Sequence, residues 1–108
     1  MEEYSTGQLA KMFGISVRTI QYYDKQGLLK ADFGANGHRV YKKNDVLRLQ
    51  QILFLKSFGF SLTEIRDRLL NIESPTNLKK LFEQQKLALH KKIEDLQDVI
   101  SVMDKTIE

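Results

Sequence analysis

The sequence predicts a mainly α-helical chain: a small helical head carrying one β-hairpin, followed by a single long C-terminal helix. Three observations lead there. Ser5 with Gln8, and Ser61 with Glu64, are capping-box pairs that open helices, and Gly14, Gly27 and Gly59 lie where helical runs stop. Residues 30–43 interrupt the helical pattern with Gly34, Asn36 and Gly37, the chemistry of a tight turn. From Pro75 to Ile107 nothing breaks a helix, and apolar residues recur at intervals of three and four.

The first helix starts at Ser5, buries Leu9, Ala10 and Phe13, and ends at Gly14. Ser16 then caps a second helix from about Val17 to Lys25, which stops near Gly27. Two short helices joined by a tight glycine-containing turn form a helix-turn-helix pattern. On the second helix Val17, Ile20 and Tyr23 are expected to face the core, while Arg18, Gln21, Tyr22 and Lys25 face outward. Leu28 and Leu29 return the chain to the core. Residues 30–43 form a β-hairpin wing in which Val40 packs inward and Arg39, Tyr41, Lys42 and Lys43 are presented outward.

A third helix starts near Asn44, whose side chain is expected to cap it, and runs to Phe58. Its apolar residues are too dense for one stripe, which marks it as the central core helix. After Gly59 a fourth helix opens at Ser61 and carries Ile65, Leu69 and Leu70 inward. Ser74 and Pro75 suit the cap and first position of the last helix. There Leu89, Ile93, Leu96, Ile100, Met103 and Ile107 make a heptad-like seam. Such a helix would be roughly 50 Å long, too long to bury its seam on a head of roughly 70 residues. It calls for a partner helix, most simply from a second copy of the chain. The alternative is a helix folded back on its own head.

Length and composition restrict the function. The chain has 108 residues, a net charge of +3 and no cysteine. Disulfides, thiolate metal sites and thiol redox sensing are excluded. No run approaches the roughly 18 apolar residues of a membrane span, and the acidic start Met1-Glu-Glu-Tyr does not resemble a signal peptide. The chain therefore reads as cytoplasmic. Its charge is uneven. Residues 11–43 hold seven basic side chains against two acidic ones, a net of +5, whereas six lysines balance six acids from residue 74 onward. A basic first half and a neutral second half suit contact with a polyanion through the first half alone.

No nucleophile–base set, phosphate-cradling glycine loop or metal-ligand spacing appears, so no enzyme, cofactor or metal is expected. His38 reads as a surface or backbone-contacting residue of the hairpin, and His90 as a solvent-facing residue of the coil. Arg and Gln on a recognition helix suit guanine and adenine edges, and Tyr and Lys suit phosphates. Double-stranded DNA is thus the expected partner. Two rivals remain open: a protein–protein adaptor acting through the coil, and an architectural winged-helix DNA binder of the excisionase type.

Tyr4-Ser-Thr-Gly-Gln-Leu-Ala10, Gly14-Ile-Ser-Val-Arg-Thr-Ile-Gln-Tyr-Tyr-Asp24, Gly27-Leu-Leu29 and Gly37-His-Arg-Val-Tyr41 together resemble the MerR family of bacterial transcription regulators. The resemblance covers residues 4–73 by specific motifs, and the helix beyond them by type. It implies a winged helix-turn-helix DNA-binding domain over residues 1–73 and an antiparallel dimerisation helix over 74–108. Residues 49–56 and 59–62 are most similar to the multidrug- and thiopeptide-responsive branch, whose members carry a separate C-terminal effector domain. The helix running on to Glu108 favours a chain truncated before such a domain over a naturally short regulator. A small-molecule inducer would then act only through that missing part.

The resemblance also implies a mechanism. A homodimer would bind a palindrome in a promoter with an overlong spacer. It would bend and undertwist the DNA, and so act on RNA polymerase indirectly, as an activator. The resemblance implies DNA contacts from Arg18, Tyr22 and Tyr23 on the second helix, Arg39 and Tyr41 on the wing, and Lys56 before a second wing; Ser16, Thr19, Gln21 and Lys42, beside them, complete the expected DNA face. Periodicity places Tyr23 inward, against that assignment. Gln21 stands where members commonly have arginine, so the operator cannot be borrowed. The absence of cysteine argues against the metal- and redox-sensing branches.

Overall fold

The structure, a computed structural model, describes residues 2–70 and 75–108, with the backbone alone at 75. The chain divides into two compact units, Met1–Asn71 and Ile72–Glu108. The first contains β1 (Tyr4–Ser5), α1 (Thr6–Phe13), α2 (Val17–Lys25), β2 (Asp32–Phe33), β3 (Arg39–Tyr41), α3 (Lys43–Ser57) and α4 (Leu62–Glu64). A π-helical turn over Ile65–Leu69 continues α4. The second unit is α5 (Pro75–Ile107).

The two short helices form as their caps dictate. Ser5 Oγ accepts from the Gln8 amide at 3.1 Å, and Gln8 Oε1 accepts from the Ser5 amide at 2.8 Å. Gly14 ends α1 in the left-handed region, φ 66°, and the amides of Gly14 and Ile15 close on Lys11 and Ala10 carbonyls. Ser16 then caps α2. Leu9, Ala10, Ile20, Tyr23, Leu28 and Leu29 enter the core as expected, but Val17 does not. It is 41% exposed, because the first turn of α2 projects beyond the packed face that Ile20 and Tyr23 share.

The hairpin is present, with β3 flanked on both sides. β2 pairs antiparallel with β3, Asp32 opposite Val40 and Phe33 opposite Arg39. The turn closes through Gly37 N–H on the Gly34 carbonyl at 2.9 Å, with Gly37 at φ 77°. The other neighbour is β1, with Tyr4 opposite Tyr41 and Ser5 opposite Val40. That two-residue strand has no sequence signal and makes the sheet three-stranded, in the order β1-β3-β2. It also accounts for a reversal of phase. Tyr41 is fully buried and Val40 only half-buried, so Tyr41 belongs to the core and not to the presented surface.

α3 begins one residue before Asn44. Lys42 is its N-cap, and the Asp45 carboxylate accepts from the Lys42 amide at 2.8 Å, so the expected Asn44 cap is displaced by an acid in the first turn. Leu49, Ile52 and Leu55 form the buried stripe. The surplus apolar residues Leu47, Phe54 and Phe58 are exposed, and Phe54 and Phe58 meet edge to face at 5.0 Å. The helix is central to the core on one stripe only. The Ser61/Glu64 capping box forms as read. Beyond it the helix widens into the π turn that places Ile65 and Leu69 in the core, a change of period that the sequence does not announce. The proposed Ser74 cap lies outside the described residues.

α5 runs unbroken over 33 residues. Its seam is exposed at every position, from 37% at Leu89 to 81% at Ile107. Lys91 and Asp95, four apart on another face, pair at 3.1 Å. No described helix is long and apolar enough to cross a membrane.

Candidate nucleic-acid interface

The candidate site is built on α2. Ser16 Oγ accepts from the Thr19 amide at 3.0 Å and shares a hydrogen bond with Thr19 Oγ1 at 2.8 Å. Both hydroxyls are therefore committed to starting the helix. Arg18, Gln21, Tyr22 and Lys25 are exposed along one side, and none of their side chains makes a hydrogen bond or ion pair among the described residues. Long polar side chains without intramolecular partners are free to meet a ligand, with no internal contact to break first. Tyr23 is inward, 6% exposed, and burial raises its hydroxyl pKa above the ordinary tyrosine value. Periodicity, not the family motif, fixes its direction.

The C-terminal end of α2 is held by side chains far away in sequence. Arg48 Nε, from α3, donates to the Leu28 carbonyl at 2.6 Å. Arg66 Nη1, from the π turn, donates to the Gln26 carbonyl at 3.1 Å, while its Nε pairs with Asp67 at 2.8 Å. These donors hold the carbonyls of the C-cap and of the turn just beyond it, fixing the exit from α2. Gly27 sits between them at φ 79°, in the left-handed conformation that favours glycine.

The wing is tied to α2 through Asp24. One carboxylate oxygen, Oδ2, accepts from the Tyr41 hydroxyl at 2.9 Å and the Ala31 amide at 3.3 Å, with Arg39 Nε 3.8 Å away. Burial, reinforced by the Asp24 carboxylate, pushes the Tyr41 hydroxyl up to about 12. Tyr41 therefore keeps its proton and its donor role at neutral pH. Lys42 pairs loosely with Asp32 across the hairpin at 3.4 Å. Lys56 is exposed in the last turn of α3 without an ion-pair partner among the described residues, in the same unit as Arg18 and Arg39.

The head thus brings together α2 and the wing, with Arg18, Gln21 and Tyr22 on the helix and Arg39 and Lys42 on the hairpin. Tyr23 and Tyr41 hold these elements from beneath. Three further residues shape the site without a recognisable motif: Asp24, Arg48 and Arg66. Asp24 left a trace, an acid within a strongly basic stretch. The two arginines act across 20 and 40 residues, and nothing local reveals them. Among the described residues no group of His, Asp and Glu side chains could hold a metal ion.

Comparison with known proteins places this geometry. The profile of the MerR HTH family regulatory proteins matches residues 4–72, and that of the MerR DNA-binding region matches residues 46–106. The transcriptional activator mta of Bacillus subtilis is 36% identical over 107 residues, covering 97% of this chain and 40% of the relative. The chain spans about two-fifths of the length of curated relatives such as this one. The crystal structure of MtaN, the N-terminus of the B. subtilis multidrug transporter activator, superposes with a TM-score of 0.83 at 37% identity, covering 96% of this chain and 97% of that one. Its multidrug association agrees with the branch to which residues 49–56 and 59–62 point. HiNmlR, a MerR family regulator lacking the sensor domain and solved on promoter DNA, superposes with a TM-score of 0.65 at 28% identity, covering 93% of this chain and 80% of that one. The two matched regions overlap and together run from residue 4 to 106, through the head and along α5: this chain belongs to the MerR family of helix-turn-helix regulators.

Proposed function

We propose that this chain is the DNA-binding and dimerisation part of a transcription regulator. It grips promoter DNA as a homodimer and activates by distorting the duplex, without catalysis. The observation that carries this reading is the partner-free row Arg18, Gln21 and Tyr22 on a helix whose far end is pinned by Arg48 and Arg66. Rigid presentation of otherwise unengaged donors is what base reading requires. The DNA-bound state of HiNmlR and the activator role of mta support it by kinship.

Within this reading the first unit is the DNA-binding domain, and the exposed seam of α5 joins it to a second copy. Arg18 forks onto guanine and Gln21 onto adenine, the pairings their donor and acceptor patterns favour. Tyr22, Arg39, Lys42 and Lys56 hold phosphates, while Ser16 and Thr19 set the start of the helix and contact DNA through its first turn. Tyr23 and Tyr41 position the surface from within. Two heads at fixed separation demand spaced half-sites, and part of the specificity comes from the energy of deforming the DNA between them.

The test is a salt titration of the chain on the duplex it enriches from a random pool. A dimer neutralising several phosphates loses affinity steeply, with a log–log slope of about −0.9 for each phosphate contacted. Enrichment of no duplex, or binding indifferent to salt, would overturn the proposal and favour a protein-binding adaptor.

A further inference from the structure

Among the described residues, Asp24 is the acidic side chain that both Tyr41 and Ala31 engage, between the recognition helix and the wing. Its side chain is only 20% exposed and lies three residues after Gln21, on the helix that presents the base-reading row. A carboxylate there opposes the approach of phosphates, so electrostatics alone argues against it. Its contacts explain what it does instead. The Tyr41 hydroxyl and the Ala31 amide converge on a single oxygen, one from β3 and one from the segment leading into β2. The wing strands are two and three residues long, and β1 adds only two residues to their sheet, so a ladder this short sets the wing's position weakly. Asp24 supplies a tether between that hairpin and α2. Arg39 stands 3.8 Å from the same oxygen, beyond hydrogen-bonding range, with its side chain 43% exposed. It is steered by the carboxylate without being consumed by it.

Building on the DNA-binding reading, we propose that Asp24 is a positioning residue for sequence recognition. Through Tyr41 and Ala31 it sets the wing at a fixed place beside the recognition helix, and it holds the Arg39 guanidinium where a phosphate can take it over. The charge that lowers general attraction to DNA thereby raises discrimination between sequences. A purely structural Asp24 would not do this. Its loss would weaken all binding in proportion to the folded fraction.

The experiment compares the wild-type 108-residue chain with Asp24→Asn and Tyr41→Phe. Each is titrated against the enriched duplex and a scrambled duplex of equal length, below the unfolding temperature of every variant. Asp24→Asn removes the charge with little change of shape, and Tyr41→Phe removes one tether while keeping the buried ring. The expected result for Asp24→Asn is about a tenfold loss on the enriched duplex, with unchanged or severalfold tighter binding to the scrambled one. Tyr41→Phe is expected to lose severalfold on the enriched duplex with no gain on the scrambled one. Hydrogen exchange of the free chain adds a readout independent of DNA: in Asp24→Asn the Ala31 amide exchanges faster while amides inside α1 and α2 do not.

Tight wild-type binding that Asp24→Asn leaves unaltered, or weakens equally on both duplexes, would overturn this proposal alone. A wild-type chain that prefers no duplex would overturn the DNA reading and this inference with it.

Discussion

In the Met1–Asn71 unit, Leu9, Ile20, Tyr41, Leu49, Ile52 and Ile65 are sealed from solvent by their own chain; on α5, every member of the seam from Leu89 to Ile107 is exposed. The polar groups differ in the same way. In the head, Asp24, Arg48 and Arg66 each bind main chain or side chains distant in sequence, whereas the Lys91–Asp95 pair on α5 lies within a single turn. The difference shows how the two units are stabilised. The head carries the contacts of a domain that stands on intramolecular packing, and the helix carries an apolar surface left exposed; on the dimer proposal its burial depends on a second copy and so on concentration.

The sharpest way to break this comparison is to charge the seam. Ile93→Asp with Ile100→Asp is expected to give a monomer at micromolar concentration by sedimentation and to lower affinity for the enriched duplex at least about 100-fold, since binding of the second head is no longer intramolecular. The head should remain folded. A variant that stays dimeric would place the interface elsewhere.

The reverse manipulation acts on the head. Ile52→Ala, at a fully buried position on α3, is expected to cost about 2–5 kcal/mol in denaturant unfolding, through lost burial and the cavity left behind. Self-association should persist. Loss of the dimer as well would show that the two units do not stabilise independently.

Tyr41 sharpens the head's side through pH. Its folded pKa of about 12 lies above the unfolded value near 10, so the stabilisation is complete below pH 10 and is lost as pH rises through 12. Two pH units correspond to about 3 kcal/mol. Tyr41→Phe should lack that alkaline decline while being less stable at pH 7, as chemical unfolding from pH 7 to 12 would reveal.

The smallest expected effect is on recognition alone. Arg18→Ala should cost about 1–3 kcal/mol on the enriched duplex, with stability and dimerisation unchanged. Equal affinity for wild type and variant in a fluorescence-anisotropy titration would remove Arg18 from base reading.

What could be read from the sequence follows the range of the interactions. Caps act within four residues, so Ser5/Gln8, Ser16 and Ser61/Glu64 were legible. Helical periodicity placed Ile20 and Tyr23 inward and left Arg18, Gln21 and Tyr22 outside. The wing's phase was not legible. A three-residue strand supports either alternation equally well, and the choice fell to Asp24, 17 residues earlier, which captures the Tyr41 hydroxyl, and to β1, which pairs with β3. Asn44 failed as a cap because the Asp45 carboxylate, one residue later, reaches the Lys42 amide. The apolar surplus of α3 looked like core, but burial is decided by what lies opposite, and Leu47, Phe54 and Phe58 remained exposed.

The central claim is that two heads act as one device on spaced half-sites. Hydroxyl-radical footprinting of the wild-type chain on its enriched duplex tests it most directly. The account predicts two protected patches related by a dyad, with altered reactivity of the distorted DNA between them. A single continuous patch, or uniform protection without a dyad, would contradict it.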